Sequence, residues 1–205
     1  MMAQVITRLL PNRNFDPKSE VNMFALDAAS GEAGTFVKVS AANLSDDPVA
    51  YVNRPDAFAN SLGNATSQYP EVTRKVTAAG TGDGGVVIGM ITRDVREIDE
   101  NGESLHFYPQ KKEELQCVVS GEANPIVSRG TVEVNVRGLA GGVAPNVGDL
   151  AVLAANGQIT GVSAASASAQ QKADTVGTIL GTGLRVSQQS TDSLAGPYAM
   201  LKFSV

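Results

Sequence analysis

The clearest hydrophobic rhythm in the chain runs through "GTVEVNVRG". Val132, Val134 and Val136 fall on one side, Thr131, Glu133, Asn135 and Arg137 on the other. That period of two predicts a half-buried strand. "GPYAMLKFSV" repeats it, with Ala199, Leu201, Phe203 and Val205 alternating against Tyr198, Met200, Lys202 and Ser204. "GVVIGMITRDVREID" predicts one long strand, "DENG" a turn centred on Asn101 and Gly102, and "ESLHFYP" the return strand. "EELQCVVSG" and the glycine-rich "TVGTILGTGLRVSQ" also read as strands. Residues 145–161, "PNVGDLAVLAANGQITG", read as strand, turn and strand. A two-residue type I′ turn at Asn156-Gly157 would set Ala154 opposite Ile159 and Leu153 opposite Thr160. Leu150, Val152, Ala154 and Ile159 then share one face, and Leu153, Thr160 and Val162 the other. Apolar residues on both faces predict a hairpin covered on both sides. One cover is its own barrel; the other is either the alanine-rich "AASASAQQKAD" or a neighbouring chain. Residues 163–174 are themselves either a short helix or a loop.

The start of the chain has a different texture. Residues 1–50 predict an extended arm, because Pro11 and Pro17 break any long helix, with a short strand at "GTFVKVSA". Its scattered apolar residues Val5, Ile6, Leu9, Leu10, Phe15, Met23 and Phe24 are candidate contacts to a partner or a second subunit. Packing on the chain's own core is the equal alternative. Residues 51–84 read as a mixed connecting segment. Pro55 and Asp56 open a short helix carrying Phe58 and Leu62, Gly63 ends it, and a strand with Val72 and Val76 follows. Residues 85–205 hold about eight short strands with turn signals between them, the pattern of a small barrel or sandwich. The expected fold is therefore mainly β: a small β-barrel or sandwich with an extended N-terminal arm and one or two short helices.

Composition narrows the function. With 205 residues, 42% hydrophobic and 18% charged, the chain can bury a core. Its net charge is −5, and neither side of Gly84 forms a basic or acidic tail. No large basic surface for nucleic acid is expected, and ten aromatics without Trp make a poor stacking platform. "MMAQVITRLLPN" is interrupted by Arg8 and Pro11 and is too short for a signal core or a membrane span. Synthesis and folding in a cytosol are expected. Cys117, the one cysteine, sits in an apolar run and reads as a small buried hydrophobe. His106, the one histidine, reads as a packed or surface residue on the returning strand.

Gly80, Gly82 and Gly85 in "GTGDGG" match the spacing of a dinucleotide fingerprint. They lead into the β-branched "VVIGMI", whereas the fingerprint must open a helix. The cluster reads as a turn and a boundary. The acids around residue 100 lack the spacing of a calcium loop and read as an exposed, charged hairpin tip. No nucleophile elbow, phosphate loop or zinc motif occurs. No enzyme activity, cofactor or metal is expected.

"VGDLAVLAANGQIT", "ADTVGTILGTG" and "GPYAMLKF", preceded by "VSGEANPIVSRGTV", resemble the small β-barrel of tailed-bacteriophage head decoration, or cement, proteins. "NMFALDAASGEAGTFVKVS" is similar in character to the extended leading segments of such proteins. The resemblance spans about residues 85–205. It implies a non-enzymatic virion protein, made in the host cytoplasm, that binds the capsid exterior and stabilises capsomer junctions. The implied partners are the major capsid protein and copies of the chain itself. A trimer would suit a three-fold junction, though the sequence does not show one. A tail or baseplate barrel, or a soluble ligand-binding or hydrolytic β-domain, are the alternatives.

Overall fold

The structure is a computed structural model that describes residues 7–44, 74–186 and 194–205. The expected helix near Phe58, the strand position Val72, and the candidate contacts Val5 and Ile6 lie outside the described residues.

The fold is mainly β, a sandwich with a curled, half-barrel sheet and two short helices. One six-stranded sheet has the order β1 (Leu9–Phe15), β10 (Arg129–Val134), β14 (Gly196–Ser204), β13 (Thr175–Arg185), β11 (Leu150–Leu153) and β12 (Ile159–Val162). The second runs β2 (Glu20–Val21), β9 (Ile126–Val127), β6 (Val87–Ile91), β4 (Phe36–Leu44), β5 (Arg74–Ala78) and β3 (Ala25–Leu26). β7 (Asp94–Val95) and β8 (Cys117–Val118) pair in parallel as a small third sheet. Among the described residues the α-helices are α1 (Pro109–Glu114) and α2 (Ala169–Ala173).

Strand alternation explains the layers. Phe36, Met90 and Val127 of the second sheet face the first and meet Leu9, Val132, Leu201 and Phe203 in the main core. Their neighbours Val37, Ile91 and Ile126 point the other way, into a second cluster with Val95 and Val118 of the third sheet. The middle sheet is thus buried on both faces. The Phe36 and Phe203 rings join the two large sheets edge to face, with centroids 5.8 Å apart, a geometry that the ring quadrupoles favour.

The alternation expected in β14 is present, with Ala199, Leu201 and Phe203 buried. In β10 it holds through Val134 and then stops. Asn135 is fully buried: its amide donates to the Thr7 carbonyl at 2.8 Å, and its side-chain oxygen caps a 3-10 turn by accepting from Arg137 N–H. Val136 therefore lies outside the strand.

The long strand expected from residue 85 is broken after Ile91. Thr92 N–H donates to the Pro125 carbonyl and Arg93 N–H to the Asn124 side chain, which turns the backbone out of the second sheet. Asp94 is buried rather than on an exposed ribbon, accepting from Ala33 N–H at 2.7 Å and pairing with Arg96. The returning strand reduces to a single bridge, Ile98 to Ser104, and His106 stands in a turn. "PQKKEE" forms α1, with Pro109 at its first turn, ahead of the two-residue β8.

Residues 9–15 of the expected arm form β1, antiparallel to β10. Arg8 and Arg137 both pair with Glu32, holding this segment to its own chain. The division expected near residue 84 does not coincide with a division between sheets. β1 completes the first sheet, and β2 to β5 share the second with β6 and β9.

The 145–161 hairpin forms in a different register. Leu153 opposes Ile159 and Val152 opposes Thr160, around a three-residue turn, Ala155–Gly157. The cause is tertiary. Gly157 donates its N–H to Ala79 O at 2.6 Å, and a Cβ there would stand 2.5 Å from Phe36 O. The turn is pressed against the middle sheet. A one-residue slip exchanges faces, so Ile159 joins Ala151 and Leu153 in the main core. Val152 points away from that core yet is only 2% exposed. α2 packs on β11, supplying the second cover from the same chain.

Candidate interaction surface

The arm's candidate contacts separate by burial. Leu9 and Leu10 are buried, Phe15 packs on the main core, and Phe24 packs on the second cluster. Fully burying a leucine contributes about 1.5–3 kcal/mol to the fold. These residues serve the chain's own core. Met23 is exposed. Sequence could not separate them, because their burial depends on pairing with β10, β9 and β5, far along the chain.

Exposed apolar residues occur elsewhere, first along β13 and in the loop before β11. Leu180 is the extra residue of a bulge between Ile179 and Gly181. Val147, also exposed, precedes Gly148, which donates its N–H to Ile179 O at 2.8 Å. Further along, Leu184 opposes Pro197 and is 68% exposed, and Val186 is 80% exposed. Val143, also exposed, follows Gly142, whose Cβ position abuts Val136, and Val136 abuts Gly196 at the start of β14. The base of this ribbon is well packed. The Tyr198 ring lies over Gly183, where a Cβ would come within 2.5 Å of the ring. The sequence signals were the glycine-rich β13 and the "APNVGD" loop, though pattern alone did not tell that their leucines and valines face solvent.

A second set lies on the excursion between β7 and α1. Ile98 is exposed, as is Tyr108, and Phe107 is 78% exposed. The base is ordered: Asp99 accepts from Asn101 and Glu103 N–H at 2.8 and 2.9 Å. The hydrogen bond from Glu103 N–H, then that from Asn101, holds its carboxyl below the usual aspartate range. Beneath the loop, Leu105, Cys117 and Val119 form a small buried cluster. Lys112 and Glu122 make a buried ion pair at 2.9 Å, and Glu122 also accepts from Val119 N–H.

Cys117 is fully buried, its thiol directed at Lys112 O, and burial pushes the thiol up, away from reactive thiolate. The glycine cluster cradles a carboxylate. Asp174, just after α2, accepts from Gly82 and Gly84 N–H at 2.8 and 3.0 Å and from Gln170. Asp149 closes the loop before β11 by accepting from Asn146 N–H at 3.0 Å. Among the described residues, no group of three or more His, Cys, Asp or Glu side chains is placed to hold a metal ion, and no helix is long and apolar enough to cross a membrane.

No protein-family model, curated protein or solved structure matches the chain.

Proposed function

We propose that this chain is a virion structural protein that binds the outer surface of a tailed-phage capsid and stabilises the junctions between capsomers. The observation that carries the reading is the set of large apolar side chains left exposed on a well-packed β body: Leu184 and Val186 at the end of β13 on one face, Leu180 at its bulge on the other, and Val143 and Val147 in the loop before β11. Large apolar side chains left exposed in numbers suit interaction surfaces. The motifs in β11 to β14 that resemble head decoration proteins include or adjoin these residues.

Two kinds of partner follow: the major capsid protein and copies of this chain, with a trimer suited to a three-fold junction. Each contact made by these side chains would remove apolar area from water at about 25 cal/mol per Å² before entropic costs. On a lattice, neighbouring contacts raise one another's effective concentration. A protein bridging capsomers in this way resists the outward pressure of a packaged genome.

Co-sedimentation with expanded empty heads of the cognate major capsid protein tests the reading, with head melting followed in parallel. Bound protein and a raised head melting temperature are expected, both weakened by Leu184→Asp. No binding and unchanged head stability would sink it. Mass spectrometry of separated heads and tails distinguishes this role from a tail or baseplate one.

A further inference from the structure

The exposed aromatic knob between β7 and α1 lies apart from those residues and outside the motifs that carry the sequence resemblance. Residues 97–114 hold six acids and two lysines, a net −4 within a chain whose total is −5. Arg93 offsets Glu113 from outside that stretch, and the segment that carries Ile98, Phe107 and Tyr108 stays net acidic. The two lysines are committed, Lys111 to Glu100 and Lys112 to Glu122. Among the described residues, Glu97, Glu103 and Glu114 have no ion-pair partner.

Backbone bonds hold the exposed apolar residues in one short, ordered loop. Ile98 bridges Ser104, Leu105 N–H donates to Glu97 O, and Phe107 N–H donates to Ser104 O. Leu105 is fully buried beneath, which fixes the loop that displays Phe107. An aromatic held exposed on a preorganised base loses little conformational entropy on docking.

We infer that Ile98, Phe107 and Tyr108 form a docking knob whose acidic surround selects an apolar depression rimmed by lysines or arginines on the capsid protein. This rests on the capsid reading and adds to it a second contact and the charge of its partner. Charge complementarity makes a second copy the poorer occupant, because two such knobs would repel. Acidic rims act mainly on encounter and choice of partner, while a buried aromatic anchor governs residence.

Three proteins are compared for binding to expanded empty heads across a salt series: the parent, Ile98→Ala with Phe107→Ala, and Glu97→Lys with Glu103→Lys. All four positions are exposed, and thermal melting checks that each variant keeps the parent's fold. The apolar double variant is expected to bind about tenfold more weakly or worse. The charge variant is expected to bind more weakly at low salt, with a flatter salt dependence than the parent. If the parent binds and both variants match it, the knob is overturned and the capsid reading stands. If the parent does not bind, both fall. If the apolar variant instead dissociates a free oligomer, seen by solution mass, the knob's occupant is a second copy and the assignment to a basic capsid site is overturned.

Discussion

Single residues carry the seams of this molecule. Asp174 binds the glycine loop through Gly82 and Gly84 N–H, and a Cβ on Gly84 would stand 2.1 Å from Ala173 O. The loop that spacing compared with a phosphate cradle therefore holds the chain's own carboxylate. Burial raises the Asp174 carboxyl, but the hydrogen bonds from Gln170, Gly82 and Gly84 more than offset that, leaving it below its usual value. A folded-state value below the unfolded one means that the stabilisation is present above the ordinary aspartate range, near pH 4, and fades as pH falls through the folded value. Asp174→Ala should cost about 2–3 kcal/mol at pH 7, because it leaves two amide donors without their acceptor. Urea denaturation across the acid range should show the variant's deficit shrinking as pH falls. A deficit independent of pH would contradict the assignment.

Elements show what pattern can and cannot convey. β14 is read correctly from alternation because it lies between two strands, with its inner face on a continuous core. The hairpin of β11 and β12 was placed as an element but in the wrong register. Nothing local encodes the bond from Gly157 N–H to Ala79 O that sets its three-residue turn. α2 carries a local signature, the reciprocal capping of Ser168 and Gln171. α1 was not foreseen: it has only six residues, too few to show a helical period, and it begins at Pro109, where the sequence reads as the end of a returning strand. For the candidate surface, sequence supplied β13 and the loop before β11 but chose its contact residues from the arm, where pairing with β10 buries Leu9 and Leu10. The α1 platform depends on the Lys112–Glu122 pair, whose side chains are nearly inaccessible. Lys112→Met should destabilise by about 3–5 kcal/mol by leaving a buried carboxylate uncompensated. Adding Glu122→Gln, which keeps an acceptor for Val119 N–H, should recover much of that loss. Chemical denaturation of the parent, single and double variants measures the coupling.

At the scale of the whole molecule, the two large sheets share one core, so they should unfold together. Phe36→Ala removes one half of the edge-to-face pair with Phe203 and should cost about 3–5 kcal/mol. It should keep a single transition, with tryptic resistance lost at the same urea concentration in the N-terminal strands as in β11 to β14. Separate transitions would show that the sheets are independent. The position of β14 has a consequence for biosynthesis. It joins the β1–β10 pair to the β13–β11–β12 group, so until residues 196–204 have been synthesised the first sheet exists only as two unconnected halves. A nascent chain must therefore carry an incomplete sandwich, with its main core open to water, until β14 has emerged. Nonsense products ending before Gly196 would be chaperone clients and protease substrates, leaving only chains that have been read through β14 competent to assemble.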